Sequence, residues 1–176
     1  MAMQYDVNTV HLNSTGAAFS GRTRVKGLVV TSTGTTGGTV GVWDTASALV
    51  TATYEQAANT VTVTKSAHGL VTGQVIGLSF AVASGNSATN GNYKVTVLTS
   101  STFTITDINS RTIAASTACS YALSTNNSGP WLATFDVPAF VGCTNIVIPG
   151  EGLLVNNALY MTLTATYISA VTAFCG

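Results

Sequence analysis

Few side chains in this sequence can do acid–base or nucleophilic chemistry. They are two histidines, His11 and His68, six carboxylates, Asp6, Asp44, Glu55, Asp107, Asp136 and Glu151, and three cysteines, Cys119, Cys143 and Cys175. A hydrolase needs a base held beside a nucleophile or a metal-bound water, and these residue types suffice in principle. Their spacing supplies no such site. No H-E-x-x-H, G-x-S-x-G, D-x-D-x-D-G or C-x-x-C is present, and the motif would have to bring the groups together. Hydrolysis of a glycan would need two carboxylates roughly 5 to 10 Å apart in a cleft, and none of the six forms a close sequence pair. No catalytic residue, cofactor or metal is therefore expected. A loop cation held by Asp6, Asp44 or Asp136 with backbone carbonyls stays open, since hard-cation sites need no fixed motif.

The remaining reactive groups read as structural. His68 precedes Gly69 and is expected to be a turn or packing residue, while His11, between Val10 and Leu12, is expected in a strand or an interface. Three cysteines are an odd number and lie far apart, which suits buried thiols in a reducing compartment better than a disulfide framework. A Cys143–Cys175 bridge is the one pairing left open. No glycine-rich stretch is followed by the Lys and Ser/Thr of a phosphate loop, so the glycines are expected to shape turns.

Residues suited to contact rather than catalysis stand out more. Arg22, Arg24 and Lys26 alternate within five positions and hold three of the six basic residues, so on a strand they would share one face. That face is either solubilising or an inter-subunit or shell-facing contact. Trp43 and Trp131 are expected at a strand end and just after a seam, where a ring can pack while its N–H stays wet.

Composition restricts the partners. Only 7% of the 176 residues are charged and the formal net charge is zero, so the attraction that drives binding to a phosphate backbone or an anionic bilayer is missing. Neither nucleic acid nor membrane is expected as a partner. No apolar run approaches the roughly 18 residues of a membrane span, and Met1–Val10 carries no basic-then-apolar leader, so the chain reads as soluble and unprocessed. A neutral chain with few ionic groups has little repulsion to oppose self-association, and exposed strand edges add a template for pairing.

Thr and Val dominate, in period-two runs bounded by Gly, Ser and Asn, and good helix formers are never clustered. Branched side chains suit a pleated surface, so the expected fold is all-β. Val61-Thr62-Val63-Thr64 and Phe103-Thr104-Ile105-Thr106 alternate strictly, which gives one buried face and one hydroxyl face, as on a small barrel or a one-sided sheet. Gly34–Gly38 is expected as a hairpin loop, Pro149–Gly152 as a sharp turn, and Asn90-Gly91-Asn92 as a type I′ corner. Polar stretches at 54–59 and 124–130 read as seams around a self-contained strand set. The two flanks are each too short for a core, but together they reach a usual domain size. The map is a discontinuous β-sandwich, jelly-roll-like, over 1–53 and 128–176, with a small β-barrel inserted over 54–127.

The insert carries the phrases Ser66-Ala67-His68-Gly69-Leu70, Thr72-Gly73-Gln74-Val75-Ile76, Asn90-Gly91-Asn92-Tyr93-Lys94-Val95 and Ser101-Thr102-Phe103-Thr104-Ile105. In that order they resemble a small β-barrel module of bacteriophage head and tail proteins. The resemblance implies that the His-Gly-Leu piece ends a strand and turns, and that the third and fourth phrases form a hairpin closing the barrel. The outer part, with Gly27–Gly34 and Ile148–Gly152, resembles short β-sandwich virion proteins of the capsid decoration or cement type, although its ending, Ala173-Phe174-Cys175-Gly176, departs from that pattern. These likenesses imply a non-enzymatic virion structural protein, assembled in the host cytoplasm. Its partners would be the major capsid protein or other virion proteins and further copies of itself, a trimer by analogy. Alternatives are a tail, fibre or baseplate component and a receptor- or glycan-binding module using Trp43, Trp131 or exposed tyrosines as stacking platforms.

Overall fold

The computed structural model of the chain describes residues 7–82, 85–124, 129–164 and 166–176. Among them there is no helix. The strands are β1 (Asn8–Leu12), β2 (Gly16–Ser20), β3 (Thr23–Ser32), β4 (Gly38–Asp44), β5 (Val50–Thr64), β6 (Val75–Phe80), β7 (Gly91–Lys94), β8 (Thr96–Val97), β9 (Thr102–Leu123), β10 (Trp131–Val137), β11 (Gly142–Val147), β12 (Leu153–Val155), β13 (Ala158–Leu163) and β14 (Ile168–Cys175). The fold is all-β and sandwich-like, as the Thr/Val periodicity requires. The chain divides into two compact units, one of Met1–Ala48 with Leu132–Gly176 and one of Leu49–Trp131.

The discontinuous unit holds two antiparallel sheets. One has the order β1-β14-β3-β11, with β12 also on β3, and the other has the order β10-β4-β13-β2. Each strand turns alternate residues inward, and Val25, Leu28 and Val30 of the first sheet meet Val40, Val42, Leu159 and Met161 of the second in one buried cluster. Buried aliphatic area of this kind contributes about 25 cal/mol per Å², and it accounts for the two-sheet arrangement.

Two expected turns take other forms. The Gly34–Gly38 stretch is not a hairpin loop, because β3 and β4 lie in different sheets and the connection crosses between them. Pro149–Gly152 does turn sharply, but it joins two strands that both pair with β3, β11 to Gly27–Ser32 and β12 to Thr23–Val25. Gly152 has φ +82°, and a Cβ there would sit 2.5 Å from the Val25 carbonyl oxygen. Only glycine admits this jog.

The contiguous unit is one sheet of order β5-β9-β6-β7, with β8 on β9. It is not closed into a barrel, contrary to the expectation for the insert. The consecutive strands β7 and β8 pair with different partners, β6 and β9. The long β5–β9 ribbon carries two register shifts, opposite Glu55 and Asn59, that leave extra residues in β9. Ala58 and Ser116 adopt positive φ there. Such bulges bend a ribbon sharply, and one cluster gathers Val61, Val63, Phe103 and Ile105 from one half with Ile113, Cys119 and Tyr121 from the other. The polar stretch at 54–59 is part of β5 rather than a linker, and of 124–130, residues 125–128 lie outside the described residues. Asn90-Gly91-Asn92 is not a type I′ corner, since Gly91 and Asn92 pair with Leu78 and Gly77 inside the ladder. Asn90 instead accepts the Phe80 amide on its Oδ1 at 2.8 Å.

Candidate interaction surface

The sequence placed Arg22, Arg24 and Lys26 on one strand face. The structure keeps two of them on that face, Arg24 and Lys26, which flank the inward-facing Val25 and both lie over the Glu151–Gly152 turn, and places the third outside the strand. β3 begins at Thr23, so Arg22 lies in the preceding bend and is exposed. Arg24 and Lys26 are half-buried on β3, and the Arg24 guanidinium reaches the Glu151 carbonyl at 3.5 Å. Between β3 and β14 the register jumps from Val25 to Gly27, which makes Lys26 the extra residue of a bulge. Lys26 makes no ion pair among the described residues.

Beyond the bulge, inward and outward positions are set by the core. Leu28, Val30, Ala173 and Cys175 belong to the buried cluster, with Ile146 and Ile148 packed against it. Their neighbours Val29, Phe174 and Val147 therefore point away from it. Gly27 lies between Phe174 and Val147 in the ladder and offers no side chain, so the sheet face dips there. The dip is a groove of about 470 Å³ lined by Val7, Lys26, Gly27, Val29, Val147 and Phe174 among others, with no carboxylate in its wall. Val147 is 82% exposed and Val7 54%, an unusual outlay of aliphatic surface on a sheet face. The basic end of this feature is legible in the sequence, and the apolar remainder is not read from it. The missed signal is Ile146-Val147-Ile148, where the outward member of an alternating strand is as apolar as the inward ones.

The tryptophans do not join this surface. Trp43 is fully buried and its Nε1–H donates to Thr162 Oγ1 at 3.3 Å. With no exposed atom it cannot act as a contact or stacking platform, which corrects the interface role expected for it. Trp131 is half-buried, and its backbone is clamped by Asn92, whose Nδ2 donates to the Trp131 carbonyl at 2.8 Å and whose Oδ1 accepts its amide at 3.0 Å.

The acid–base residues are scattered, and the buried carboxylates are engaged by the protein's own groups. Asp44 is buried and accepts the amides of Asn156, Asn157 and Ala158, which leaves it no free cation-facing oxygen pair. Asp136 is exposed, and Asp6 lies outside the described residues. His68 accepts the Leu70 amide on Nδ1 and donates Nε2–H to the Thr99 carbonyl, both at 3.0 Å, while its ring meets Phe103 edge-on at 5.3 Å. It fixes a turn, as its place before Gly69 suggested. His11 sits on β1 with Nδ1 3.0 Å from Thr172 Oγ1. Among the described residues no three His, Cys, Asp or Glu come together in a possible metal cluster.

The densest polar site surrounds Asp107, a carboxylate to which the sequence alone assigns no role. Asp107 is buried and accepts the amides of Thr89 at 2.9 Å and Asn109 at 3.1 Å, with Arg111 Nη1 at 3.4 Å. Burial alone would raise its pKa, but the Thr89 and Asn109 bonds and the Arg111 charge outweigh that and hold it below the ordinary value. Burial, aided by the Asp107 charge, pushes the Tyr93 phenol up to about 12, and its hydroxyl donates to the Thr89 carbonyl. Gln56 joins the same region, donating from Nε2 to the carbonyls of Ala58 and Asn109. The Asp107 carboxylate is taken up by two backbone amides and the Arg111 guanidinium, while Gln56 Oε1 is buried without a hydrogen-bond partner among the described residues. The cluster is a lock for the β9 bend, and its trace in the sequence is Asp107-Ile108-Asn109, an Asx-type turn inside a strand.

All three cysteines are free. Cys143 is exposed on the outer face, with Sγ 3.6 Å from Thr31 Oγ1, whereas Cys175 faces the core. The bridge left open between them does not form, because they lie on opposite faces of one sheet. Burial pushes the Cys119 thiol up to about 12.

No protein family, curated protein or solved structure matches this chain.

Proposed function

We propose that this chain is a non-enzymatic structural protein of a bacteriophage particle, of the capsid decoration or cement type, which binds the shell and neighbouring copies of itself. The observation that carries the reading is the outward face of the β1-β14-β3-β11 sheet, where exposed Val7 and Val147 flank a groove with a basic end. Exposed aliphatic surface of this kind is costly in water and serves contact. Support also comes from the near absence of ionic groups, which lowers the repulsion between copies, and from the phage-like phrases. Two of these, Gly27–Gly34 and Ile148–Gly152, fall on β3 and on the jog that leads to β12.

The test is a pair of particle reconstructions, made with and without the chain, together with its copy number per particle. Hundreds of copies on the shell surface support decoration. A dozen or fewer copies at one vertex would move the chain to the tail, and failure to bind particles at all would end the proposal.

A further inference from the structure

The groove on the outer sheet face needs an occupant, and the same unit presents a matching projection. The connection between β10 and β11 carries Phe140, 40% exposed, and Val141, 76% exposed. Asp136, exposed near the end of β10, precedes Phe140 by four positions and makes no ion pair among the described residues. The groove offers the complementary set: aliphatic walls from Val7, Val29, Val147 and Phe174, a floor without a side chain at Gly27, and the unpaired ammonium group of Lys26. An apolar tip with a carboxylate thus stands on one part of the unit and an apolar slot with a cation on another.

A chain cannot fill its own slot with this tip. Val141 adjoins the first residue of β11 and Val147 is its last, so with about 3.4 Å per residue the two lie about 20 Å apart along one extended strand. We infer that the Phe140-Val141 tip of one copy seats in the Gly27-floored groove of a second copy, with the Asp136 carboxylate facing the Lys26 ammonium. The contact is heterologous, tip to groove, so a pair of copies still has one free tip and one free groove. Repetition closes a ring or extends a filament, according to the rotation between copies. The inference rests on the self-association part of the proposed function and is independent of the virion assignment.

The two halves can be disabled separately. Val147→Asp places a charge in the groove wall and Val141→Asp places one at the tip, both at strongly exposed positions where folding is insensitive. Sedimentation velocity on the full chain, from micromolar to near-millimolar concentration, is expected to show concentration-dependent assembly of the unaltered protein. Each variant alone is expected to associate at least about tenfold more weakly. Mixing the two is expected to restore a one-to-one dimer, because the V147D copy still has a tip and the V141D copy still has a groove. Lys26→Glu and Asp136→Lys are expected to weaken association singly and, when mixed, to restore alternating assembly beyond the dimer, because both kinds of junction then carry opposite charges.

A mixture that stays monomeric overturns the inference. Assembly unaffected by any of the four substitutions overturns it while leaving self-association in place. A monomeric unaltered chain overturns both the inference and that part of the proposed function. Loss of particle binding by V147D with unchanged self-association assigns the groove to a shell protein and overturns the inference alone.

Discussion

The carboxylate of Asp44 accepts the backbone amide of Asn157 at 2.7 Å, across 113 positions of sequence. The same side chain takes the amides of Asn156 at 3.0 Å and Ala158 at 3.3 Å, so one buried acid on β4 shapes the whole entry into β13. Asp44→Ala would leave these donors without an acceptor, at a cost of about 1–3 kcal/mol for each one that stays dry. Urea unfolding is expected to show a loss of about 3 kcal/mol for Asp44→Ala and a smaller one for Asp44→Asn, which keeps one acceptor oxygen. Equal losses for the two would mean that the amides find water instead.

Asp107 makes the contiguous unit acid-sensitive. Its folded pKa lies below the ordinary 3.8, so its contribution is complete above that value and disappears as the pH falls through the lowered one. Amide exchange at Thr89 and Asn109 is expected to accelerate in that acid window. In Asp107→Asn the same amides are expected to exchange faster at neutral pH and to lose most of their acid dependence. A Thr89 amide indifferent to acid in the unaltered chain would remove Asp107 as the cause.

The thiols are expected to fall into two classes. Cys143 is exposed, while Cys119 and Cys175 are buried with pKa values raised by desolvation. A thiolate-selective reagent at mildly alkaline pH is expected to modify one thiol per native chain and three after unfolding. Cys143→Ser is expected to abolish the native reaction. Fast labelling of two thiols in the folded protein would contradict the buried placement of Cys175.

Trp43 is expected to report on packing. In Trp131→Phe, emission from Trp43 is expected to be blue-shifted and insensitive to iodide, consistent with a ring of zero exposure. Trp43→Ala is expected to cost about 3–5 kcal/mol, the range for deleting a large buried aromatic. A Trp43→Ala protein of unchanged stability that had lost affinity for a glycan would return the ring to the surface.

The strand content was legible in the sequence because branched residues in period two leave little else to form, and Val61–Thr64 and Phe103–Thr106 lie within β5 and β9 as written. Pairing was less legible. Gly34–Gly38 has the composition of a hairpin, but nothing local reveals that β4 belongs to the opposite sheet. That choice is made by Val40 and Val42 meeting Val30 and Val171 in the core. Barrel closure failed for a related reason, since the bends at Ala58 and Ser116 place a positive φ on residues that carry no turn signal. On the candidate surface the charges and the shared face of Arg24 and Lys26 were visible, but the place of Arg22 outside the strand and the bulge were not. The bulge at Lys26 is specified by the register of β14, roughly 150 residues downstream, an association fixed by tertiary packing rather than by local preference.

β14 occupies an inner position in its sheet, between β1 and β3, yet follows every other strand in the chain. During synthesis, β1 and β3 leave the ribosome long before the strand that joins them exists, and both must wait with open edges. The stretch from β5 to β9 has all its ladder partners within itself and can assemble while translation continues. A nascent chain of this design therefore matures from its middle outward, and premature termination between Leu123 and Ile168 would release a finished centre attached to unjoined flanks.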